Sequence, residues 1–384
     1  MIPYGRQSIS EEDIAAVADV LRSDFLTQGP AVPAFEASVA SHTGAAYSLA
    51  VNSATSALHI ACMALGVGPG DLVWTSPITF VASANCALYC GAEVDFVDID
   101  PTTYNMSPDA LAAKLEGAAA AGRLPKVVIP VHLAGQSCDM AAIRALGERY
   151  GFRIVEDASH AIGARYRGEP VGNCRYSDIA VFSFHPVKIV TTAEGGLATT
   201  NDPALAAAMN LHRSHGITRD QSEMESESHG PWYYEQIALG YNYRMTELQA
   251  ALGTSQMGRL ETFVARRRAL AAVYDRAFEN RNFSFQWQRP ETESSYHLYI
   301  IRVRGGAARR AEAFAQLRAA GIGVNLHYIP VYLQPHYRQL GFRPGLCPEA
   351  EAYYEGAISI PLYYGMSDAD QRAVIDAVMA ATAA

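Results

Sequence analysis

The side chain most suited to covalent chemistry in this sequence is Lys188, within the segment FSFHPVKIVTTAEGG at 182–196. Lys188 closely follows a strand-like apolar run and precedes the pair Gly195–Gly196. A lysine that is partly removed from water loses proton affinity, so its amine becomes a usable nucleophile and can later act as a general base. The alternative is a surface lysine followed by a tight glycine turn. Burial of Lys188 would favour amine chemistry.

A second candidate segment is IVEDASHA at 154–161, where polar residues end an apolar run. A carboxylate such as Asp157, at the rim of a sheet, can hold a pyridinium nitrogen protonated and so make an aromatic ring an electron sink. His160 would then be placed to donate to an oxygen of the same ring. Asp157 is equally consistent with a helix cap or a buried ion-pair partner, and His160 with a hydrogen-bonded core histidine.

Two further segments carry groups that bind anions. NSATSALH at 52–59 follows a strand-like run and opens a helix with small residues, so its free N–H groups and helix dipole suit a phosphate. GYNYRMTEL at 240–248 places Asn242 and Arg244 before a long helical pattern, within reach of a phosphate or a substrate anion. For both segments the alternative is an ordinary capped helix start.

The elements that would position these residues alternate between strands and helices. Because alternation of this kind is typical of a mostly parallel sheet covered by helices, the carboxyl ends of its strands would bring the four segments to one rim. The predicted strands are 47–51, 72–76, 126–132, 152–157, 178–184 and 196–200, and the predicted helices begin near Thr55 and Thr79 and cover about 139–150.

The rest of the chain predicts a smaller, second domain. We expect a large domain at 1–255 and a small C-terminal α/β domain at 256–384, with the boundary inside or just before a long helix. The supporting predictions are a first helix capped by Ser10 and Asp13 with Ile14, Val17 and Leu21 on one face, a mobile polar loop at 219–232, a helix from Thr246 to about 279, a strand at 297–304, a helix near 307–320, and a last helix capped by Ser367 and Asp370.

Composition excludes several classes of function. The chain has 384 residues and a formal net charge of -9, which argues against a general nucleic-acid binder. No apolar run is long enough to span a bilayer, and the first residues lack the features of a signal peptide. The cysteines are scattered, and Cys86 and Cys90 are interpreted as buried thiols, so we expect a cytoplasmic protein. His212 and His215 have no third ligand placed nearby, so no metal site is predicted.

Taken together, the segments resemble the sugar aminotransferases often called the DegT/DnrJ/EryC1/StrS family. The resemblance covers nearly the whole chain and implies the aspartate-aminotransferase-like fold type I of enzymes that use pyridoxal 5'-phosphate (PLP). The motifs that carry it are LTQGP (26–30), NSATSAL (52–58), SPITFVASAN (76–85), EDASHAIGA (156–164), FSFHPVK (182–188), TTAEGG (191–196), RSHG (213–216) and GYNYRMTELQAALG (240–253).

The resemblance implies a role for each site residue. Lys188 would bind PLP covalently, Asp157 would pair with the pyridinium nitrogen and His160 would contact the phenolic oxygen, where many relatives have Gln. Phe80 would stack on the ring. The phosphate would be held by Thr55, Ser56 and Ser183, and by Asn242 of the neighbouring subunit, which implies a homodimer with shared active sites. Ala54 stands where many relatives have Gly, a departure expected to alter the turn only slightly.

The order HPVK, TTAEGG and GVNLHYIPVYLQPHY (323–337) is similar to the pseudaminic acid branch of the family. This similarity implies transfer of the amino group of L-glutamate to C4 of a UDP-linked 4-keto-6-deoxy-N-acetyl hexose, giving UDP-4-amino-4,6-dideoxy-N-acetyl-β-L-altrosamine. The sugar-nucleotide pocket would be lined by Tyr4, Leu26, Thr27, His327 and Tyr328. The alternatives are a 4-aminotransferase for a perosamine- or bacillosamine-type nucleotide sugar, and a PLP-binding protein without turnover.

Overall fold

The computed structural model describes residues 1–279 and 281–383. Its strands, in chain order, are β1 Tyr47–Val51, β2 Leu72–Thr75, β3 Glu93–Phe96, β4 Val127–Ile129, β5 Arg153–Asp157, β6 Arg165–Tyr166, β7 Glu169–Pro170, β8 Ile179–Ser183, β9 Gly196–Thr200, β10 Ile217–Thr218, β11 Glu235–Gln236, β12 Phe283–Phe285, β13 Thr292–Glu293, β14 Tyr299–Val303 and β15 Ala357–Ile360. Its α-helices are α1 Glu11–Arg22, α2 Ala31–Thr43, α3 Ala54–Ala64, α4 Ala82–Tyr89, α5 Pro108–Ala120, α6 Met140–Tyr150, α7 Pro203–Arg213, α8 Glu247–Met257, α9 Leu260–Phe278, α10 Gly306–Ala319, α11 Pro335–Gln339, α12 Pro348–Gly356 and α13 Asp368–Ala381.

The largest sheet has the strand order β1-β9-β8-β5-β4-β2-β3. From β8 to β3 all neighbouring strands are parallel, whereas β9 is antiparallel to both β8 and β1. β8 and β9 are buried along their whole length, as expected of strands covered on both faces. The predicted α/β architecture with a mixed, mostly parallel sheet is therefore confirmed, and β3 is an additional strand that the sequence did not predict.

A smaller antiparallel sheet lies in the C-terminal third of the chain, in the order β12-β14-β15. Its core joins apolar side chains from the strands with others from α9, α10 and α13, including Leu270, Ile301, Leu317 and Val374. This sheet falls inside the predicted small domain at 256–384, of which residues 280 and 384 lie outside the described part. The boundary near 255 stays a prediction.

Three predicted elements have different bounds in the structure. The single helix expected from Thr246 to 279 is two helices, because the chain leaves helical geometry at Arg259 after Gly258, a residue of low helix propensity. The strand expected at 126–132 is continuous only over β4, with one further bridge from Val131 to Asp157 before residues 133–135 form a tight turn with Ala134 at φ +62°. The helix expected near Thr79 is α4, which begins later, at Ala82.

The first helix, α1, turns its predicted apolar face outward. The capping box between Ser10 and Asp13 is present, as the sequence predicted. Asp13 is the buried residue of this helix and accepts hydrogen bonds from Ser255 and Gln256 of α8. Ile14 is 53% exposed and Leu21 61% exposed. An apolar stripe facing solvent is unusual for a surface helix.

The polar segment at 219–232 is an excursion between β10 and β11, which pair with each other at its base. It consists of turns and bends, and most of its side chains are exposed. The predicted loop is therefore present as an irregular surface segment.

Candidate active site

The carboxyl ends of β5 and β8 border a cavity of about 490 Å³. Ligands of open parallel sheets usually bind at such strand ends. Nine of the residues predicted to form the site line this cavity: Tyr4, Thr55, Phe80, Asp157, His160, Ser183, Lys188, His327 and Tyr328. Residues from six separate stretches of the sequence thus meet in one cavity.

Lys188 lies in the turn that follows β8. Its backbone N–H donates to the carbonyl of His185 (2.9 Å), and the returning chain is pinned where Thr192 N–H donates to the carbonyl of Phe184 (2.9 Å). Desolvation by the cavity walls lowers the pKa of Lys188 to about 8, although the negative charge of Asp157 acts in the opposite direction. The neutral form of the amine, which a nucleophile or general base requires, is therefore much more populated near physiological pH than in an ordinary lysine, although the protonated form still predominates.

Asp157 ends β5 with its carboxylate buried at the cavity. The hydroxyl of Ser83 donates to Oδ2 (2.6 Å), and the N–H of Ser159 donates to Oδ1 (3.1 Å). Ser83 is in turn hydrogen-bonded to Thr79, so the carboxylate is held rigidly from the start of α4. An ionised carboxylate has about four acceptor positions, and these two bonds leave room for a protonated ring nitrogen.

His160 is held as a neutral imidazole of one tautomer. Desolvation, with added repulsion from Lys188 and His327, lowers its pKa well below the usual value. The N–H of Ala134, in the tight turn at 133–135, points at Nδ1 (3.3 Å), so Nδ1 is the acceptor and the proton belongs on Nε2. Nε2 is 3.2 Å from the hydroxyl of Tyr328. His160 therefore presents an N–H donor to the cavity.

The start of α3 forms the anion-binding end of the cavity. Ser53 caps the helix by accepting from the N–H of Ser56 (3.1 Å). The other N–H groups of a first turn lack intrahelical partners and suit a phosphate, with Thr55 and Ser183 beside them. Gly196 allows β9 to lie close to the start of α3, because a Cβ at this position would be 2.4 Å from the backbone of Ser53 and Ala54.

The opposite wall is aromatic. The rings of Tyr4 and His327 are 5.5 Å apart, and those of Phe80 and Tyr328 are 6.5 Å apart. Nδ1 of His327 is 2.8 Å from the hydroxyl of Ser359, and desolvation lowers the pKa of His327 to about 3. This wall is neutral and can accept a bulky, uncharged group.

Two residues of the site were missed by sequence analysis. Ser83 supports Asp157, although its motif had been noted, because a serine inside a small-residue helix carries no distinguishing signal. His297 lines the cavity, and its ring lies 4.5 Å from that of His160. His297 opens the predicted strand at 297–304, where a histidine looks like an ordinary core residue, and only the packing of the small domain brings it to the site.

Four predicted residues lie outside this cavity. Ser56 uses its hydroxyl to donate to Asn52 (2.6 Å) within the turn. The carbonyl of Leu26 accepts from Glu247 N–H (3.1 Å), and the side chains of Leu26 and Thr27 are exposed. Asn242 is also exposed. Their predicted binding roles stay predictions, and that of Asn242 was assigned to the cofactor of a neighbouring subunit.

The described residues contain neither a metal-site cluster nor a membrane-spanning helix. Within 1–279 and 281–383, no cluster of three or more His, Cys, Asp or Glu has the arrangement of a metal site. His212 instead places Nδ1 3.2 Å from the carbonyl of Leu239. In that same part of the chain, no helix combines the length and apolar character needed to cross a membrane.

The cavity meets the requirements of PLP that the resemblance implies. The cofactor needs an anion cradle, a carboxylate at the ring nitrogen and an amine for covalent attachment. The start of α3 with Ser183, the carboxylate of Asp157 and the amine of Lys188 supply these in one cavity. The close approach of Gly196 to Ser53 and Ala54 fixes the position of the backbone at the start of α3, beside Thr55 and Ser183.

Comparison with known proteins gives a consistent result. Residues 7–379 match the model of the DegT/DnrJ/EryC1/StrS aminotransferase family. The chain is 39% identical over 382 residues to the spore coat polysaccharide biosynthesis protein SpsC of Bacillus subtilis, covering 98% of this chain and 96% of that protein.

Solved structures agree with this match. Spr1654 of Streptococcus pneumoniae, described as a sugar aminotransferase in its PMP form, superposes with a TM-score of 0.91 at 32% identity, covering 100% of this chain and 99% of that one. PseC of Helicobacter pylori, described as an aminotransferase of pseudaminic acid biosynthesis, superposes with a TM-score of 0.91 at 30% identity and the same coverage.

Proposed function

Because the chain belongs to the DegT/DnrJ/EryC1/StrS aminotransferase family of PLP-dependent sugar aminotransferases, we propose that it transfers an amino group from L-glutamate to C4 of a UDP-linked 4-keto-6-deoxy-N-acetyl hexose. The product would be UDP-4-amino-4,6-dideoxy-N-acetyl-β-L-altrosamine, a precursor of pseudaminic acid. The observation that carries the aminotransferase chemistry is the shared cavity of Lys188 and Asp157. The choice of sugar rests on the motifs of this chain that resemble the pseudaminic acid branch, and PseC is among its structural neighbours.

Each residue has a defined task in this proposal. Bound PLP supplies an electron sink for the carbon that gains or loses a proton. Nζ of Lys188 holds the cofactor and, when released, carries the proton as a general base, delivering it to one face of C4 of the sugar. Asp157 keeps the ring nitrogen protonated. His160 offers its Nε2–H to the phenolic oxygen, and the neutral wall of Tyr4 and His327 receives the sugar.

The substrate is the part of the proposal with a close competitor. Identity to PseC is 30%, and identity to Spr1654 is 32%, so the family relationship alone does not favour one sugar. The catalytic residues would be the same for a perosamine- or bacillosamine-type substrate. The pseudaminic acid assignment is supported by the order of the motifs HPVK, TTAEGG and GVNLHYIPVYLQPHY in this chain.

We also propose a homodimer with shared active sites in the cytoplasm. Apolar side chains near the N-terminus are half exposed or more, which supports burial against a second copy: Ile14, Leu21, Phe25 and Leu26. The exposed Asn242 would complete the phosphate site of the other subunit. No nucleic acid or membrane partner is proposed.

The test is a two-stage assay on the purified protein. L-Glutamate is added first, and conversion of the cofactor to its pyridoxamine form is followed by the loss of yellow absorbance. A panel of UDP- and dTDP-linked 4-keto sugars is then offered, and the return of the absorbance is measured for each sugar.

Three outcomes are distinct. Rapid return only with the UDP-linked 4-keto-6-deoxy-N-acetyl-β-L-sugar would support the proposed substrate. Rapid return with another sugar would keep the chemistry and replace the substrate. Absence of any conversion by L-glutamate, while another amino acid converts the cofactor, would refute the proposed donor.

A further inference from the structure

Arg267, on α9, is a buried cation without an acidic partner. It is 2% exposed, and no ion pair of the described chain includes it. Its Nη1 donates instead to three carbonyls, those of Tyr296 (3.2 Å), His297 (3.2 Å) and Leu362 (2.9 Å). Burial without a counter-ion lowers the pKa of Arg267 to about 10. Burying a cation without a counter-ion costs folding free energy, so the presence of Arg267 at this position needs an explanation.

One of these carbonyls belongs to His297, a residue of the active-site cavity. His297 lines the cavity, is 5% exposed and packs its ring 4.5 Å from that of His160. Nδ1 of His297 has no hydrogen-bond partner in the described structure, so no side-chain bond fixes this imidazole. Its position depends on its backbone, which Arg267 holds through the carbonyl.

Another of these carbonyls, that of Leu362, belongs to a segment that is bonded to the opposite wall of the cavity. The N–H of Leu362 donates to the carbonyl of Tyr4 (3.1 Å), so Arg267 and Tyr4 hold the same peptide segment from two sides. Tyr4 lines the cavity with its ring 5.5 Å from that of His327. One guanidinium therefore connects both walls that do not belong to the large sheet.

We propose that Arg267 is a positioning residue of the active site, which sets the distance between the walls carrying His297 and Tyr4 and the face carrying Lys188 and His160. This inference rests on the proposed function in one respect, because its kinetic test uses L-glutamate as the amino donor. Three carbonyls that converge on one buried donor tie two chain segments, 296–297 and the one at Leu362, to α9. Displacements of about 1 Å at such walls are enough to slow an enzyme substantially. The role of Arg267 is therefore predicted to be greater in substrate binding than in retention of PLP.

The neighbouring Arg268 provides a matched control. It lies on the same helix and donates through Nε to the carbonyl of Ser294 (2.9 Å) and through Nη1 to Glu293 (3.2 Å). It thus ties α9 to the same stretch of chain. Its partners do not line the cavity, and its side chain is 33% exposed.

The experiment compares Arg267→Met, Arg267→Lys and Arg268→Met, each loaded with PLP. The half-reaction with L-glutamate is followed as a single turnover, and its maximal rate constant (taken as kcat) and half-saturating L-glutamate concentration (taken as KM) are measured together with PLP affinity and Tm. We expect Arg267→Met to lose about tenfold or more in kcat/KM, mainly through KM, while PLP affinity changes by less than about threefold. Arg267→Lys keeps the cation and should recover most of the loss, and Arg268→Met should behave as the native protein.

Crystal structures of the Met variants give a readout that is independent of the donor. We expect the ring of His297 to move away from His160 in Arg267→Met and to stay in place in Arg268→Met. Failure of L-glutamate to convert the native protein would refute the proposed donor and leave this structural comparison intact. Should Arg267→Met not fold, the same measurements are compared between Arg267→Lys and Arg268→Lys. A rise in KM is then expected for Arg267→Lys and not for Arg268→Lys.

Either of two results would overturn the inference. The first is an unmoved His297 with native kinetics in folded Arg267→Met or, should that variant not fold, a native KM in Arg267→Lys. The second is a loss of activity that matches the loss of PLP affinity, or that is equal in the Arg267 and Arg268 variants, because both would indicate a general structural role.

Discussion

At the scale of single residues, protonation decides how the cavity works. Lys188 is a weakened base with a pKa of about 8, whereas desolvation holds His160 and His327 neutral. Lys188 thus shares the cavity with three imidazoles whose pKa values are lowered, those of His160, His297 and His327. This arrangement leaves Lys188 as the group that exchanges protons near neutral pH.

The first prediction concerns Lys188 itself. Lys188→Ala should reduce turnover by about a thousandfold or more, because no other amine in the cavity can replace it. Its Tm should stay equal to that of the native protein or rise, since a desolvated amine contributes little to stability. The measurements are steady-state turnover and thermal unfolding. Lys126→Ala, at a lysine paired with Asp71, is the control and should keep native activity.

Retained steady-state activity in folded Lys188→Ala would contradict the assignment of this lysine and with it the covalent use of PLP.

The second prediction follows from the lowered pKa. In cofactor-free protein, the rate at which PLP attaches to Lys188 should rise with pH through about 8 and then level off, because only the neutral amine attacks. Asp157 raises this pKa, so Asp157→Asn should move the midpoint to lower pH. The attachment rate is measured by absorbance across a pH series. A midpoint that moves upward in Asp157→Asn would be inconsistent with this electrostatic account.

The same shift has a consequence for stability. The folded pKa of Lys188 lies below its unfolded value, about 10.4, so the folded state binds the proton less well. The resulting destabilisation is fully present below about pH 8 and disappears as the pH rises through the unfolded pKa.

At the scale of elements, the anion-binding end depends on how closely β9 approaches the start of α3. Gly196 faces the backbone of Ser53 and Ala54, and no side chain fits between them. The departure at Ala54, which replaces the glycine of many relatives, is accommodated inside the first turn of α3. The contact between β9 and α3, which shapes the anion-binding end of the cavity, is therefore made by backbone atoms.

The third prediction tests this contact. Gly196→Ala should weaken PLP binding by about tenfold or more, because its Cβ would force the start of α3 to move. Gly117→Ala is the matched control: Gly117 lies in α5 with open space around it, so the substitution should leave PLP affinity unchanged and slightly raise Tm. PLP affinity is measured by absorbance titration of cofactor-free protein. Equal affinities in the two variants would refute the role given to this approach.

At the scale of the whole molecule, one chain supplies only part of the predicted site. Asn242, Leu26 and Thr27 lie on the surface outside the cavity, and the apolar side of α1 faces solvent. A two-fold dimer would cover this apolar surface and would place Asn242 of each chain at the other chain's cavity.

The fourth prediction uses this sharing. Lys188→Ala and Asn242→Ala homodimers should each be impaired, and mixing them with subunit exchange should restore about a quarter of the native sites, because the heterodimer contains one site with both native residues. Turnover is measured before and after mixing, and subunit exchange is verified by mass. No recovery in verified heterodimers would place Asn242 in the site of its own chain.

The residues of the candidate site differ in how well they could be predicted from the sequence. Asp157, Ser183 and Lys188 were identified from the sequence because each follows a recognisable buried strand, and strand ends converge in a parallel sheet. The resemblance supplied their roles and those of Phe80 and His160. The single helix predicted over 246–279 was wrong, because periodicity continues across Gly258 although the backbone does not.

The sequence by itself determined the family, the order of the strands and helices, and the lysine available for covalent chemistry, since these depend on local pattern and on motifs read along the chain. Only the tertiary structure decided that His297 backs His160, that Ser83 supports Asp157, that Arg267 holds two walls of the cavity, and that the apolar side of α1 faces outward. The physical reason is that these contacts join residues far apart in the chain, and their geometry exists only once the two sheets and their helices have packed.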